Sequence, residues 1–418
     1  MMKRGVGFIL LVWVILATPA FARDKVDLLD ESLKIARVVH PEIDPAVYKA
    51  KVEQLLSELR PLLVAGKSPD DKIETVNNFI FKKHHAKVNP MSSNSSANPQ
   101  NAQEESLLSH VLDTWEGNCL GFTTLYLIVG DALNMPVAPV LAPGHIFVQY
   151  NNGAFKRNIE TTADGENLSE DEMARQLRVT LTPAHRALGT YFRPSGVNDV
   201  MSSIYANAGL ILATKGKVEK ALHFYDQAQK LNPKNGEVHI DRALTFIGLK
   251  QYGEALAESN EALKLLPEAA QAYLNKGLSL HKLGRPVDAI EAYQRAILLR
   301  PAFAPAYYDL GNILGEHGRV DEAIANYSKA IENNRAYSKA YFNRGTLYLE
   351  EKHQAAKAVA DFSEVLKFDA ANHEVYFARG LAYQELGDRP KASADLQRYM
   401  KLEPSAAEKR GVGEMVRH

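Results

Sequence analysis

Only one cysteine, Cys119, occurs in the 418 residues. That excludes an intramolecular disulfide framework and any cysteine-rich zinc or iron–sulfur site. Net charge is nearly absent: 49 Lys and Arg against 50 Asp and Glu leave −1, which excludes a globally basic nucleic-acid binder. Beyond the amino terminus no apolar run approaches the roughly 20 residues a membrane helix needs, which excludes a polytopic membrane protein. Phosphate-binding glycine loops, a His-Glu-x-x-His pair, calcium loops and dinucleotide fingerprints are missing, so no cofactor or metal ion is expected. Apolar material is plentiful: 46% of the chain is hydrophobic, enough to fill the cores of two to four domains at this length.

The amino terminus reads as an export signal over residues 1–22. Lys3 and Arg4 precede an apolar stretch from about Gly5 to Ala17, and Ala20-Phe21-Ala22 supplies the small-x-small cleavage pattern. The expected destination is outside the cytoplasm, the periplasm in a Gram-negative cell, with an uncleaved anchor helix as the alternative.

The carboxy-terminal half repeats itself. Small residues recur at Gly209, Ala243, Gly277, Gly311, Gly345 and Gly380, at spacings of 34, 34, 34, 34 and 35. Alanines follow at Ala221, Ala255, Ala289, Ala323, Ala358 and Ala392, and a one-residue insertion within Glu350–Ala356 accounts for the late Ala358. Tyr225, Tyr293, Tyr327 and Phe362 mark a third periodic place, and Pro233, Pro267, Pro301 and Pro404 close four units. Small residues at the eighth and twentieth places let two antiparallel helices approach closely, and proline stops the second. One hairpin cannot bury its apolar face, so neighbours must stack. These positions resemble the tetratricopeptide repeat family, in six units from Ser202 to about Ala406. The resemblance implies an all-α superhelix that binds a protein or peptide partner in a groove lined through places such as the fifth. At the fifth places stand Ala206, Ile240, Leu274, Tyr308, Phe342 and Phe377. None is Lys, which disfavours clamping of a terminal carboxylate there. Leu274, Tyr308, Phe342 and Phe377 are the groove candidates; the alternative is that the aromatic ones pack between repeats.

The amino-terminal half carries the candidate chemistry. Helical spacing runs from about Asp24 to Leu59, and a second helix opens at Ser68-Pro69-Asp70-Asp71 and continues to Phe81. Met91–Glu105 is rich in Ser, Asn, Gln and Ala and reads as an exposed polar loop. His84-His85 lacks any helical partner that would complete a metal set and reads as a solvated surface pair. The segment Trp115-Glu116-Gly117-Asn118-Cys119-Leu120-Gly121-Phe122 then leads into an apolar helix to about Asn134. Cys119 falls at its start, where free N–H groups and the macrodipole favour a thiolate. His145 stands at the entrance of a strand, and past the Asn151-Asn152-Gly153 turn Glu160 follows in the next strand; Asp164-Gly165 reads as a turn. Nucleophile, base and orienting acid is the arrangement of cysteine acyl transfer.

This region resembles the transglutaminase-like superfamily, whose order is Cys, His, Asp on helix, strand and strand. The resemblance implies that Cys119 is the nucleophile, His145 the base and Glu160 the orienting acid in place of Asp, with Asn158 as an alternative orienter. Through His40-Pro41-Glu42-Ile43-Asp44-Pro45 and Leu107-Leu108-Ser109-His110-Val111-Leu112 it looks more closely like the SirB-like branch, some members of which lack the cysteine. The expected organisation is an α+β transglutaminase-like (papain-like) domain over 23–200, six tetratricopeptide repeats over 202–406 and a polar tail over 407–418. Two functions fit: cysteine-dependent amide hydrolysis or transamidation, or a non-catalytic envelope scaffold.

Overall fold

The computed structural model describes residues 27–88, 104–142, 145–176, 192 and 194–416. The expected export signal and most of the polar segment 91–105 lie outside the described residues. The chain divides into two compact units, one extending through Asn235 and one beginning at Gly236.

In the first unit, α1 (Leu28–Val39) and α2 (Pro45–Leu59) are separate helices rather than one. The chain breaks between them because Pro41 disfavours helix at His40, while Pro45 sits at the first turn of α2 behind the Asp44 cap. Helix α3 (Pro69–Asn77) starts on the Ser68–Asp71 capping box and runs into a π-helical turn, Asn78–Lys83. Then come β1 (Lys87–Val88), α4 (Leu108–Thr114), β2 (Glu116–Gly117) and α5 (Cys119–Ala132). Strands β1 and β2 pair in parallel, and β3 (Val137–Ala142), β4 (His145–Asn151) and β5 (Lys156–Ile159) form an antiparallel meander. A short helix, α6 (Glu170–Gln176), follows.

Helix α5 is the centre of this unit. Every residue from Cys119 to Gly130 is buried, as expected of a helix apolar on all sides. It lies so close to β3 that a Cβ on Gly130 would stand 2.3 Å from Val137 Cγ2. One polar thread crosses the core: Tyr126 Oη donates to Asn77 Oδ1 (2.9 Å), and Asn77 Nδ2 donates to the Gly165 carbonyl (3.0 Å). Asp164 and Gly165 both have positive φ, which makes the tight turn that brings this carbonyl to Asn77.

The first repeat hairpin, α7 (Val197–Thr214) and α8 (Val218–Leu231), belongs to this same unit. Tyr205 Oη donates to Glu31 Oε1 on α1 (2.7 Å), and Lys215 pairs with Glu104 (3.1 Å). This first hairpin therefore packs into the amino-terminal unit, with α7 against α1.

The second unit holds five hairpins. They are α9/α10 (Gly236–Gly248, Tyr252–Leu265), α11/α12 (Ala270–Lys282, Pro286–Leu299), α13/α14 (Ala304–Glu316, Val320–Asn333), α15/α16 (Ser338–Glu350, Ala355–Phe368) and α17/α18 (His373–Glu385, Arg389–Leu402). The periodic small and aromatic places turn out to be partners. A Cβ on Gly277 would lie 2.6 Å from the Tyr293 ring, one on Gly311 2.7 Å from Tyr327, and one on Gly345 2.9 Å from Phe362. The glycine of the first helix is thus the seat for the ring of the second, and the alanine at the twentieth place is fully buried beside it. The expected polar tail is instead two short helices, α19 (Pro404–Lys409) and α20 (Val412–Met415). Ala407 and Val412 are buried against Leu396 and Tyr399 and close the last repeat's apolar face, which a terminal repeat requires.

Candidate active site

Asn118 caps α5. Its Oδ1 accepts from the N–H groups of Leu120 (3.0 Å) and Gly121 (3.2 Å), so Cys119 is the first helical residue, at the positive end of the macrodipole. The approach to the cysteine is tightly held. Trp115 ends α4 in the left-handed region, and its ring stacks on His84 at 3.9 Å between centroids. His84 is therefore half-buried with its Nε2 enclosed, not a solvated surface residue as expected; only His85 is exposed. Glycine is required at Gly121, where a Cβ would lie 2.6 Å from the Glu105 carbonyl. Glu105, expected in an exposed loop, is half-buried here, and its carbonyl also accepts from Asn118 N (3.2 Å).

His145 opens β4 and Glu160 follows the end of β5. Their side chains meet, His145 Nε2 to Glu160 Oε2, at 2.8 Å. His145 also hydrogen-bonds Cys119. With Nε2 occupied by Glu160, Nδ1 is the ring nitrogen left for the thiol. All three side chains are buried: Cys119 is 2% exposed, His145 8% and Glu160 1%. The structure thus brings Cys119, His145 and Glu160 together and leaves Asn158 out. Asn158 accepts from Gln149 Nε2 (2.8 Å) and donates to the Leu168 carbonyl (2.8 Å), so its amide is engaged away from His145.

The electrostatics follow from this packing. Burial by itself pushes the His145 ring down; the charge and hydrogen bond of Cys119, then those of Glu160, outweigh it and raise the ring to about 10. For Glu160, burial acts upward, but the His145 contact and the Thr162 donors prevail and hold the carboxyl below its ordinary value. Each shift favours the charged form of its group.

Three residues that sequence reasoning missed hold the set in place. Glu160 Oε1 accepts from both Thr162 N (2.9 Å) and Thr162 Oγ1 (2.7 Å), which leaves Oε2 for the histidine. One turn below Cys119, Thr123 Oγ1 lies 3.2 Å from Thr161 Oγ1 and donates to the Ile146 carbonyl (3.4 Å). Helix, base strand and acid segment are thereby tied at residues adjacent to the three functional ones. The signal was a run of threonines at 123, 124, 161 and 162, ambiguous because threonine also suits strands. Among the described residues no group of His, Cys, Asp and Glu could hold a metal ion, and no helix is long and apolar enough to cross a membrane.

In the repeats, Leu274 is 8% exposed and lies in the core between hairpins, which corrects its assignment to the groove. Tyr308, Phe342 and Phe377 are half-buried. Tyr308 packs on Tyr337 (5.1 Å), Phe342 on Phe362 (5.7 Å) and Phe377 on Tyr399 (5.1 Å). These three rings pack on neighbouring aromatics and remain partly exposed.

The fold and this geometry define a transglutaminase-like domain followed by tetratricopeptide repeats. Family models agree: the transglutaminase-like superfamily matches residues 46–204, and tetratricopeptide repeats match 202–235, 270–303, 292–325, 311–352 and 373–405. A UPF0162 protein from Xylella fastidiosa (strain 9a5c) is 24% identical over 225 residues, covering 53% of this chain and 78% of that protein. Another UPF0162 protein, from Buchnera aphidicola subsp. Baizongia pistaciae, is 23% identical over 34% of this chain and 53% of its own length. Among solved structures, the one titled "Functional Characterization of Pseudomonas Aeruginosa pilF" shares 19% identity at a TM-score of 0.47, over 52% of this chain and 99% of its own. The repeats are of the class that mediates protein–protein interaction.

Proposed function

We propose that this is an exported cysteine acyl-transfer enzyme acting on an amide in a protein or peptide, with the repeats holding a protein partner. The observation that carries the chemistry is the Cys119–His145–Glu160 constellation, with His145 Nε2 2.8 Å from Glu160 and Cys119 at a helix start. The Cys119 thiolate attacks the amide carbonyl carbon, and the C–N bond breaks as imidazolium His145 gives its proton to the departing amine. A thioester on Cys119 remains. His145, now neutral, takes a proton from water or an acceptor amine as that nucleophile attacks, and the thiolate leaves to regenerate the pair. Glu160 stays ionised throughout and keeps the ring turned toward the thiol.

Export rests on the residues 1–22 pattern alone, and in a Gram-negative cell it means the periplasm. The test of the chemistry is labelling of the full chain by an acylating, thiol-directed activity probe, with His145→Ala as control. Labelling that His145→Ala removes supports the enzyme. Labelling at an ordinary thiol rate in both proteins sinks it. The burial of Cys119 favours a second reading, a scaffold whose transglutaminase-like domain only binds peptide. If Cys119→Ala restores a deletion phenotype as well as the parent chain does, the scaffold stands.

A further inference from the structure

Among the repeats with a cation at the seventh place, one lacks the acid that the others pair with it. With places counted from Ser202, Gly236, Ala270, Ala304, Ser338 and His373, a cation at the seventh place meets a carboxylate at the twenty-third in three repeats. Arg242 Nη1 donates to Glu258 Oε1 at 3.4 Å. Arg344 donates from Nε and Nη2 to both oxygens of Asp361 (2.8 and 2.7 Å), the insertion having moved Asp361 one place on. Arg379 does the same with Asp395 (2.7 and 2.9 Å). In the last two cases the guanidinium also donates to a serine at the twenty-fifth place of the preceding repeat, Ser328 (2.8 Å) or Ser363 (3.0 Å). The first and fourth repeats have no cation at the seventh place: Ala208 and Leu310 stand there.

The third repeat keeps the cation and drops the acid. Lys276 occupies its seventh place, Ala292 its twenty-third, and Asn260 the twenty-fifth place of the repeat before it. Those same three residues line a cavity of about 370 Å³ that opens to the surface, together with Tyr273, Arg285 and Arg295. Lys276 has no ion-pair partner among the described residues. Two acids also line the cavity. Asp288 is taken by Arg285 (2.7 Å), and Glu291 is exposed. Arg295 stands over the Tyr273 ring at 6.0 Å and has no carboxylate partner among the described residues. The array therefore displays at three equivalent places what belongs in this one: a carboxylate held by a cation, in a niche where Ala292 is too short to supply it.

We propose that this cavity receives an acidic side chain from a partner protein, seated on Lys276 as Asp361 is on Arg344 and Asp395 on Arg379. The site lies at the seventh and twenty-third places, apart from the fifth places, so it does not depend on the groove. Nor does it depend on the acyl-transfer chemistry, and it survives if that reading fails.

The test uses the full chain and a short fluorescein-labelled oligoglutamate, read by fluorescence anisotropy at low salt. The parent chain binds the probe, and K276M weakens it about tenfold, the loss of one charge-assisted hydrogen bond. A292D supplies the carboxylate from within the chain and abolishes binding. Asp361 and Asp395 are tolerated at equivalent places at 5% and 7% exposure, and Ala292 is itself 5% exposed, so A292D is expected to fold. It should melt about 2–4 °C higher if the new pair forms. Should A292D fail to fold, K276M alone decides. No binding to the parent chain, or equal binding to the parent chain and K276M, overturns the proposal. Displacement of the probe by acetate at matched carboxylate concentration overturns the partner assignment in favour of a small-anion site.

Discussion

The two units solve the same problem, fixing polar groups inside an apolar interior, in opposite ways. The first unit does it once, around α5, with partners brought from distant parts of the chain: Asn77 with Tyr126 and Gly165, His145 with Glu160, Thr123 with Thr161. The second does it repeatedly with local partners, each seventh-place arginine finding its acid 16 or 17 residues on. A contact that exists once is specific and unprotected against change. A repeated one is redundant, so damage to one hairpin stays next to its neighbours. Among the described residues, only the first unit brings a cysteine, a histidine and a carboxylate together.

The largest expected effect breaks the first unit's side of this comparison. Cys119→Ala should reduce thiol-probe labelling and any amide turnover to background while circular dichroism is unchanged, since a buried cysteine and alanine differ by one sulfur atom. Next comes an equivalent blow to the second unit. Phe342→Ser should cost about 1–3 kcal/mol of stability, less than deletion of a fully buried aromatic, because half-buried Phe342 packs on Phe362. A melting temperature that holds while partner affinity collapses would return Phe342 to the groove.

How much of this was legible follows the same division. The repeats could be read to the residue because each helix pair repeats its instructions six times, and the insertion near Glu350 was visible as a single slip. Cys119, His145 and Glu160 were legible because each stands at the end of an element, where local sequence marks the position. Thr162, Thr123 and Thr161 were not, since their roles depend on which strand lies beside which helix. The stacking of His84 on Trp115 was hidden for the same reason. The packing of the first repeat hairpin into the first unit was hidden, because the contact of α7 with α1 through Tyr205 and Glu31 spans 174 residues of sequence. A fragment of residues 23–200 should therefore aggregate, its α1 face exposed, whereas 23–235 should be monomeric by size-exclusion chromatography.

A smaller effect tests whether the buried pair is charged. The His145 ring is raised to about 10 in the folded chain from an ordinary 6.5, so its stabilisation is fully present below about pH 6.5 and fades as pH rises through about 10. Glu160 is lowered, so its contribution is present above its ordinary 4.5 and fades as pH falls below that. Glu160→Gln keeps the shape and removes the charge. Its melting temperature should fall below that of the parent chain near neutrality, and the two curves should converge at the alkaline and acid ends. Parallel curves across the whole range would mean that the pair is neutral.

The smallest expected effect separates a glycine at the periodic eighth place of a repeat from one outside it. Gly277 and Gly315 both lie inside first helices, and neither has positive φ. At Gly277 a Cβ would stand 2.6 Å from the Tyr293 ring, which is itself fully buried and cannot yield. Gly277→Ala should therefore destabilise by about 1–3 kcal/mol, the cost of overpacking a filled core. At Gly315 the nearest atom to a Cβ would be Ala323 Cβ at 3.7 Å, an ordinary contact. There the gain in helix propensity is unopposed, and Gly315→Ala should stabilise by up to about 1 kcal/mol. Opposite signs in urea melts of the two single variants would show that the eighth place is held by the ring it seats. Equal signs would mean that the hairpins have room to slide, and that the small residue at this place is not a steric requirement.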